Sequence, residues 1–163
     1  MLLLSFTTFV TLACSKKVYR VPLSLETQAV FSPDDAADDP AFYYDSNNPE
    51  SSIIIGTDKK RGLELYTLGG SLIKAFPFGK INNVDLSAIA GSSLPLVGGS
   101  NRSDNTLVFY FFDPHTASLI PVGKTQVRVN EVYGFCFLPS EKGLLAAVSG
   151  TDGSIEIFTL KSR

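Results

Sequence analysis

The sequence predicts an all-β protein. Its apolar runs are short, Gly, Pro, Asn, Asp and Ser cluster between them, and one strand–loop–strand plan recurs along the chain. The runs are "SIIIG" (52–56), "LELYTL" (63–68), "SLIKAF" (71–76), "TLVFYFF" (106–112), "EVYGFCFL" (131–138), "LLAAVSG" (144–150) and "SIEIFTL" (154–160). They are rich in Ile, Val, Leu, Phe and Tyr, whose branched or aromatic side chains suit a pleated surface. None is long enough at helical spacing to argue a helix. "LGGS" (68–71), between two of the runs, predicts a tight hairpin connection.

The recurring plan is visible in "IIIGTDKKRGLELYTLGGSLIKAF", "PLVGGSNRSDNTLVFYFFDPHTASLIPV" and "LLAAVSGTDGSIEIFTLKSR". In each, an apolar strand ends in Gly or Ser, a polar loop follows, and a second strand and a turn complete the unit. The equivalent glycines are Gly56, Gly99 and Gly150, a period of roughly 40–50 residues, which is the length of a propeller blade. Each blade is then a small antiparallel sheet. The loops "GTDKKRG", "GSNRSDN" and "SGTDGS" would gather on one face around a channel, making neighbours of Lys59, Arg102 and Asp152. There is room for about three blades, against the four to eight of closed propellers. An open set leaves unpaired edges, so the chain reads as an incomplete propeller, the N-terminal part of a larger protein.

With 163 residues, 44% hydrophobic and 18% charged, the composition is that of a globular protein. A net charge of -2 and scattered Lys and Arg argue against nucleic acid as a partner. The single histidine, His115, follows Asp113-Pro114 in a predicted turn. It leaves little support for His-based zinc sites or Ser-His-Asp triads. The two cysteines, Cys14 and Cys136, make no disulfide framework. Cys136 lies in apolar "YGFCFL" and reads as a buried, inert thiol.

Residues 2–13 are apolar or hydroxylic and carry no charge. The run is too short to span a membrane and suits the apolar part of a secretory signal. Ala13-Cys14 resembles a bacterial lipoprotein cleavage site, with Thr11 where an aliphatic residue is usual. The expected division is 1–14 signal, 15–25 linker and 26–163 partial propeller. The expected location is outside the cell membrane, as a secreted, periplasmic or surface protein, with membrane attachment through a lipidated Cys14. A hydrophobic first strand is the alternative.

The acidic stretch "SPDDAADDP" places Asp34, Asp35, Asp38 and Asp39 close together in an otherwise apolar chain. On its own it is either a solvated loop or a set of carboxylates gathered around a cation.

Five segments in order, "DDAADDPAF" (34–42), "TDKKRGLELY" (57–66), "INNVD" (81–85), "SNRSDNT" (100–106) and "NEVYGF" (130–135), resemble the β-propeller phytases. The resemblance runs from about Glu26 to about Phe158, on the blade-length repeat. It implies a propeller of about six blades and a calcium-dependent enzyme that removes phosphate from inositol hexakisphosphate. So anionic a substrate meets an anionic protein only through interposed cations, and calcium takes hard oxygen ligands, about six to eight. Such calcium polarises phosphoryl oxygens and activates water, so no protein nucleophile is needed.

Residue by residue, the resemblance implies that Asp38 is a ligand of the catalytic calcium cluster. It makes Asp39 a ligand of a structural calcium, helped by the carbonyls of Pro40 and Val84. Lys59 and Arg102 match phosphate-binding cations, Tyr133 matches a phosphate-contacting residue, and Glu26 and Asp35 occupy acidic positions. No protein partner is implied. Bland readings stand beside these. Lys59, Lys60 and Arg61 form a basic turn, Arg102 could pair with Asp104, "NNVD" suits a turn, and Tyr133 alternates with Val132 and Phe135 like a core residue.

The chain also departs from the family pattern. Phe42-Tyr43 stands where an aliphatic and a tryptophan are usual, and Thr151 stands where the family has a phosphate-binding lysine, while Asp152 keeps an acidic position. Several calcium-binding acids of the family come from later blades, which implies weak activity for these residues alone. The alternative function is a non-catalytic propeller module that binds calcium or a partner.

Overall fold

The structure is a computed structural model that describes residues 19–141 and 143–160. Strands β1 (Ala37–Tyr43), β2 (Ile53–Asp58), β3 (Gly62–Thr67) and β4 (Leu72–Phe76) form one antiparallel sheet in sequence order. A second contains β5 (Ile81–Ser87), β6 (Leu96–Asn101), β7 (Thr106–Asp113) and β8 (Ser118–Gln126). The third contains β9 (Val132–Ser140), β10 (Gly143–Gly150) and β11 (Ile155–Leu160). The only helical element among the described residues is a 3-10 turn at Pro49–Ser51.

The sheets follow one another as blades. β1 lies against β5 and β5 against β9, so the first strand of each sheet forms the inner wall. The repeat is as the sequence predicts: Gly56, Gly99 and Gly150 all lie on the second strand of their sheet, and each polar loop joins the second strand to the third. The "LGGS" hairpin joins β3 to β4, with Gly70 at a φ of 82° that other residues adopt at a cost.

The core explains why β7 is hydrophobic without a break from Leu107 to Phe112. Val108, Tyr110 and Phe112 pack toward the first blade, while Leu107, Phe109 and Phe111 pack toward the third. A strand between two blades buries both faces, so its pattern is continuous rather than alternating. Phe78 stacks on Tyr110 at 4.6 Å, and Tyr43 meets Phe112 edge-on at 5.2 Å, locking the first two blades together.

The outer face of the first blade is crossed by an extended segment. Gln28 N–H donates to Gly70 O at 2.8 Å, and Leu72 N–H donates to the Gln28 side chain at 2.7 Å. Phe31 N–H donates to Glu64 at 3.2 Å, and Ser32 N–H to Asp58 at 2.9 Å. The two carboxylates, both fully buried, therefore tie down chain that has no strand partner.

Several expectations are corrected. The second half of "SPDDAADDP" is strand, not loop, because β1 starts at Ala37. "NNVD" belongs to β5, not to a turn. Cys136 is exposed, because Phe135 and Phe137 take the inward positions of β9 and alternation turns the thiol outward. Tyr133 faces outward too, its ring half exposed, so it is no core tyrosine. Asp104 pairs with Lys124 at 2.7 Å, not with Arg102. The signal, with Cys14, and residues 15–18 of the linker lie outside the described residues; residues 19–25 carry no regular structure. No described helix is long and apolar enough to cross a membrane.

Candidate functional site

The site is built from irregularities at the inner strands. β1 is an edge strand whose register with β2 slips between Ala37 and Pro40. Pro40 has no N–H to give the ladder, and an edge or a bulge is where a sheet tolerates that. In a regular strand Asp38 and Asp39 would face opposite sides. In the slipped segment both carboxylates reach β5: Asp38 Oδ2 accepts from Asn82 Nδ2 at 2.9 Å, and Asp39 Oδ2 accepts from Val84 N–H at 3.0 Å. Asp39 N–H, released from the ladder, donates to Thr57 Oγ1 at 2.9 Å.

Lys59 comes from the β2–β3 turn, its N–H fixed on Ala36 O at 2.9 Å. Its ammonium lies between Asp35 Oδ2 at 2.9 Å and Asp38 Oδ1 at 3.2 Å. The hydrogen bond that Lys59 donates to Asp35 lowers the carboxyl below its usual range and raises the lysine above its own. Asp34 lies 3.8 Å from Lys60 and is solvent-exposed.

Arg102 comes from the β6–β7 turn, its N–H held by Lys80 O at 2.8 Å. Its Nε donates to Glu131 Oε1 at 3.0 Å, its Nη2 donates to the same oxygen, and its Nη1 reaches Asn82 Oδ1 at 3.5 Å. Lys59, Lys60, Lys80, Arg102 and Glu131 line one cavity of about 280 Å³. Asp38, Asp39 and Pro40 line a second, of about 220 Å³, with Thr27, Thr57 and Tyr66.

Of the residues singled out from sequence, the structure brings together Asp35, Asp38, Lys59 and Arg102, and joins Asp39 to Val84. Tyr133 is anchored by its carbonyl, which accepts from Ser100 Oγ at 2.6 Å, but it does not line the Lys59–Arg102 cavity. Glu26 lies beside Gly70 on the β3–β4 turn, at the opposite end of the blade. Of the three repeat loops two converge. Asp152 does not line the cavity: it accepts from Ser154 in its own turn and from the Asn130 N–H before β9, and Thr151 Oγ1 donates to Asn130 O.

Four residues of the cluster were not singled out as site residues: Lys60, read as part of a basic turn, Lys80, Asn82 and Glu131. Lys80 and Glu131 each immediately precede the first strand of a blade, an equivalence visible once the blades are aligned. Asn82 lay inside the quoted "INNVD", hidden because Asn also suits turns.

Asp38, Asp39 and nearby backbone carbonyls offer only hard oxygen, which fits calcium in kind. They are few in number: among the described residues no three His, Cys, Asp or Glu side chains gather in a metal-holding group.

The fold and the site define a class: a bladed all-β protein whose inner rim sets carboxylates against a cluster of Lys and Arg. The chain belongs to the Phytase family, whose model matches residues 1–162. It is also 37% identical over 153 residues to the 3-phytase of Bacillus subtilis (strain 168), covering 87% of this chain and 40% of that protein. The chain thus spans well under half the length of this relative.

Proposed function

We propose that the protein is a phosphoric monoester hydrolase of the phytase type, acting on inositol hexakisphosphate with calcium as cofactor. One observation carries this most directly. Four cations from three separate connections, Lys59, Lys60, Lys80 and Arg102, surround a single cavity, and Lys59 joins it to Asp38. Family membership supports the same reading.

In this reading Lys59 and Arg102 hold non-bridging phosphate oxygens through charge-assisted hydrogen bonds. Both are already compensated, Lys59 by Asp35 and Asp38 and Arg102 by Glu131, so a phosphate enters by exchanging those partners. Asp38 holds the catalytic calcium, and Asp39, with the Pro40 and Val84 carbonyls, a structural one. Calcium there supplies positive charge beside the phosphoryl oxygens. Tyr133, with its ring half exposed, contacts phosphate from the third blade. Export, and attachment through Cys14, belong to the same proposal, on the strength of the apolar run at residues 2–13.

The test is phosphate release from inositol hexakisphosphate by the full-length gene product, with and without a strong chelator. Release that chelation stops and calcium restores is expected. Release indifferent to chelation sinks the calcium role. Calcium binding with no release at all would favour the non-catalytic module, a reading that Thr151 supports.

A further inference from the structure

Asn82 is fully buried, yet its side chain meets a carboxylate on one side and a guanidinium on the other. Its Nδ2 donates to Asp38 Oδ2 at 2.9 Å, and its Oδ1 faces Arg102 Nη1 at 3.5 Å. The orientation of the carboxamide is dictated by its neighbours. An ionised carboxylate only accepts and a guanidinium only donates, so the reverse orientation would set like against like at both ends.

The backbone is shaped to place it there. The β5–β6 register slips between Ile81 and Val84, so Asn82 and Asn83 form a bulge on the inner strand. Bulges re-aim side chains and recur beside functional sites. The bulge is pinned by Asn83 N–H, which donates to Ser100 Oγ at 3.2 Å, and by Gly99, where a Cβ would come within 2.7 Å of Asn83 O. Asn82 thus joins Asp38 of the first blade to Arg102 of the second, and Arg102 in turn holds Glu131 at the entry to the third.

We propose that Asn82 is a positioning residue that sets the phosphate-binding Arg102 and the metal-holding Asp38 at a fixed separation through one carboxamide. It need not touch the substrate. The inference rests on the phytase reading of this site and assigns the residue that couples its anionic and cationic halves. Only an amide serves both neighbours. Leucine has similar volume but no polar atom, and aspartate keeps the acceptor for Arg102 while losing the donor to Asp38.

The test uses the full-length gene product with calcium present and calorimetric titration with inositol hexasulfate, an analogue of the same shape and charge class that releases no phosphate, so binding is read without turnover. Asn82→Leu is expected to weaken binding about tenfold or more, with the thermal midpoint close to wild type. Asn82→Asp keeps the acceptor for Arg102 but sets a buried carboxylate against Asp38, so it too is expected to weaken binding about tenfold or more. Asn82→Leu combined with Arg102→Ala should lose clearly less than the sum of the two single losses, as a residue acting in part through Arg102 requires.

Wild-type affinity in a folded Asn82→Leu, or losses that add independently in the double variant, would overturn the inference while leaving the phytase reading intact. A wild-type protein that, with calcium present, binds neither inositol hexasulfate nor inositol hexakisphosphate overturns both. If Asn82→Leu does not fold, Asn82→Asp decides: a loss that shrinks in the Arg102→Ala background supports the coupling, and wild-type affinity refutes it.

Discussion

The ammonium of Lys59 reaches Asp38 Oδ1 at 3.2 Å, joining a cation of the β2–β3 turn to a carboxylate of the inner strand. Asp35 completes the arrangement from the other side at 2.9 Å. Asp35 has its pKa lowered by Lys59, so the pair's contribution is present above the ordinary carboxylate value and is lost as pH falls through the lowered one. Lys59 has its pKa raised, so its contribution is present below the ordinary lysine value and lost as pH rises through the raised one. The pair is therefore intact from about pH 4 to about pH 10. Lys59→Met should raise the KM for inositol hexakisphosphate about tenfold or more, by a factor that stays constant across neutral pH. Steady-state kinetics at several pH values checks this, and a factor that varies through neutrality would assign the titration elsewhere.

Asp39 has a structural task that is separable from the metal role proposed for it. Its Oδ2 accepts the Val84 N–H and so ties β1 to β5. Asp39→Asn keeps a carbonyl oxygen for that bond and removes the charge, whereas Asp39→Ala removes both. Asp39→Ala should lose about 1–3 kcal/mol in denaturant unfolding without calcium, and Asp39→Asn much less. Added calcium stabilises a protein that binds it when folded, and both variants should lose that gain. A full calcium-dependent rise in the thermal midpoint of Asp39→Asn would remove Asp39 from the metal site.

Gly99 is the position at which the repeat and the site meet. A Cβ there would lie 2.7 Å from Asn83 O and 2.9 Å from Ile81 Cγ2, and the first of these is backbone that cannot turn aside. Gly99→Ala should cost about 1–3 kcal/mol through overpacking. It should also displace the bulge that carries Asn82, so inositol hexakisphosphate binding falls even below the unfolding temperature. Unfolding curves and calorimetry together test the pair of effects. Lost stability with wild-type affinity would show that the bulge does not depend on this contact.

The apolar strands are legible in the sequence, including the inner strand β9 and the outer strands β4 and β11. "TLVFYFF" and "LELYTL" are apolar because they fill the two inter-blade cores or the blade centre. The inner strands β1 and β5 were read as a loop and a turn because they carry Asp38, Asp39, Asn82 and Asn83 toward a polar rim. Polar composition there reflects the site rather than solvent. Both also contain register slips, and a slip breaks the period of two on which strand recognition rests. The repeat makes neighbours of Lys59 and Arg102 and the family resemblance marks them as phosphate-binding, whereas Asp152 shares the repeat without lining the cavity: its Oδ1 accepts from Ser154 and its Oδ2 from the Asn130 N–H. Glu64, inside the clean run "LELYTL", carries no sequence mark of burial, because what covers it is a segment outside the blade pattern.

That covered carboxylate sets up an alkaline prediction. Glu64 accepts from Phe31 N–H and from the Tyr66 hydroxyl, all on the face crossed by residues 26–33. Burial, and then the neighbouring Glu64, push the Tyr66 phenol well above its usual range, and burial pushes Tyr110 up to about 12. In the unfolded chain both phenols ionise near pH 10, so the folded state holds more protons there and stability falls as pH rises. Tyr66→Phe removes one of these groups and also a hydrogen bond to a buried carboxylate. It should lose about 1–3 kcal/mol at neutral pH, with faster proteolysis near Phe31. Because the variant lacks the phenol, its deficit against wild type should narrow between about pH 9 and about pH 11. Urea unfolding of both proteins across that range measures the gap, and parallel curves would mean that Tyr66 titrates alike in the folded and unfolded chain.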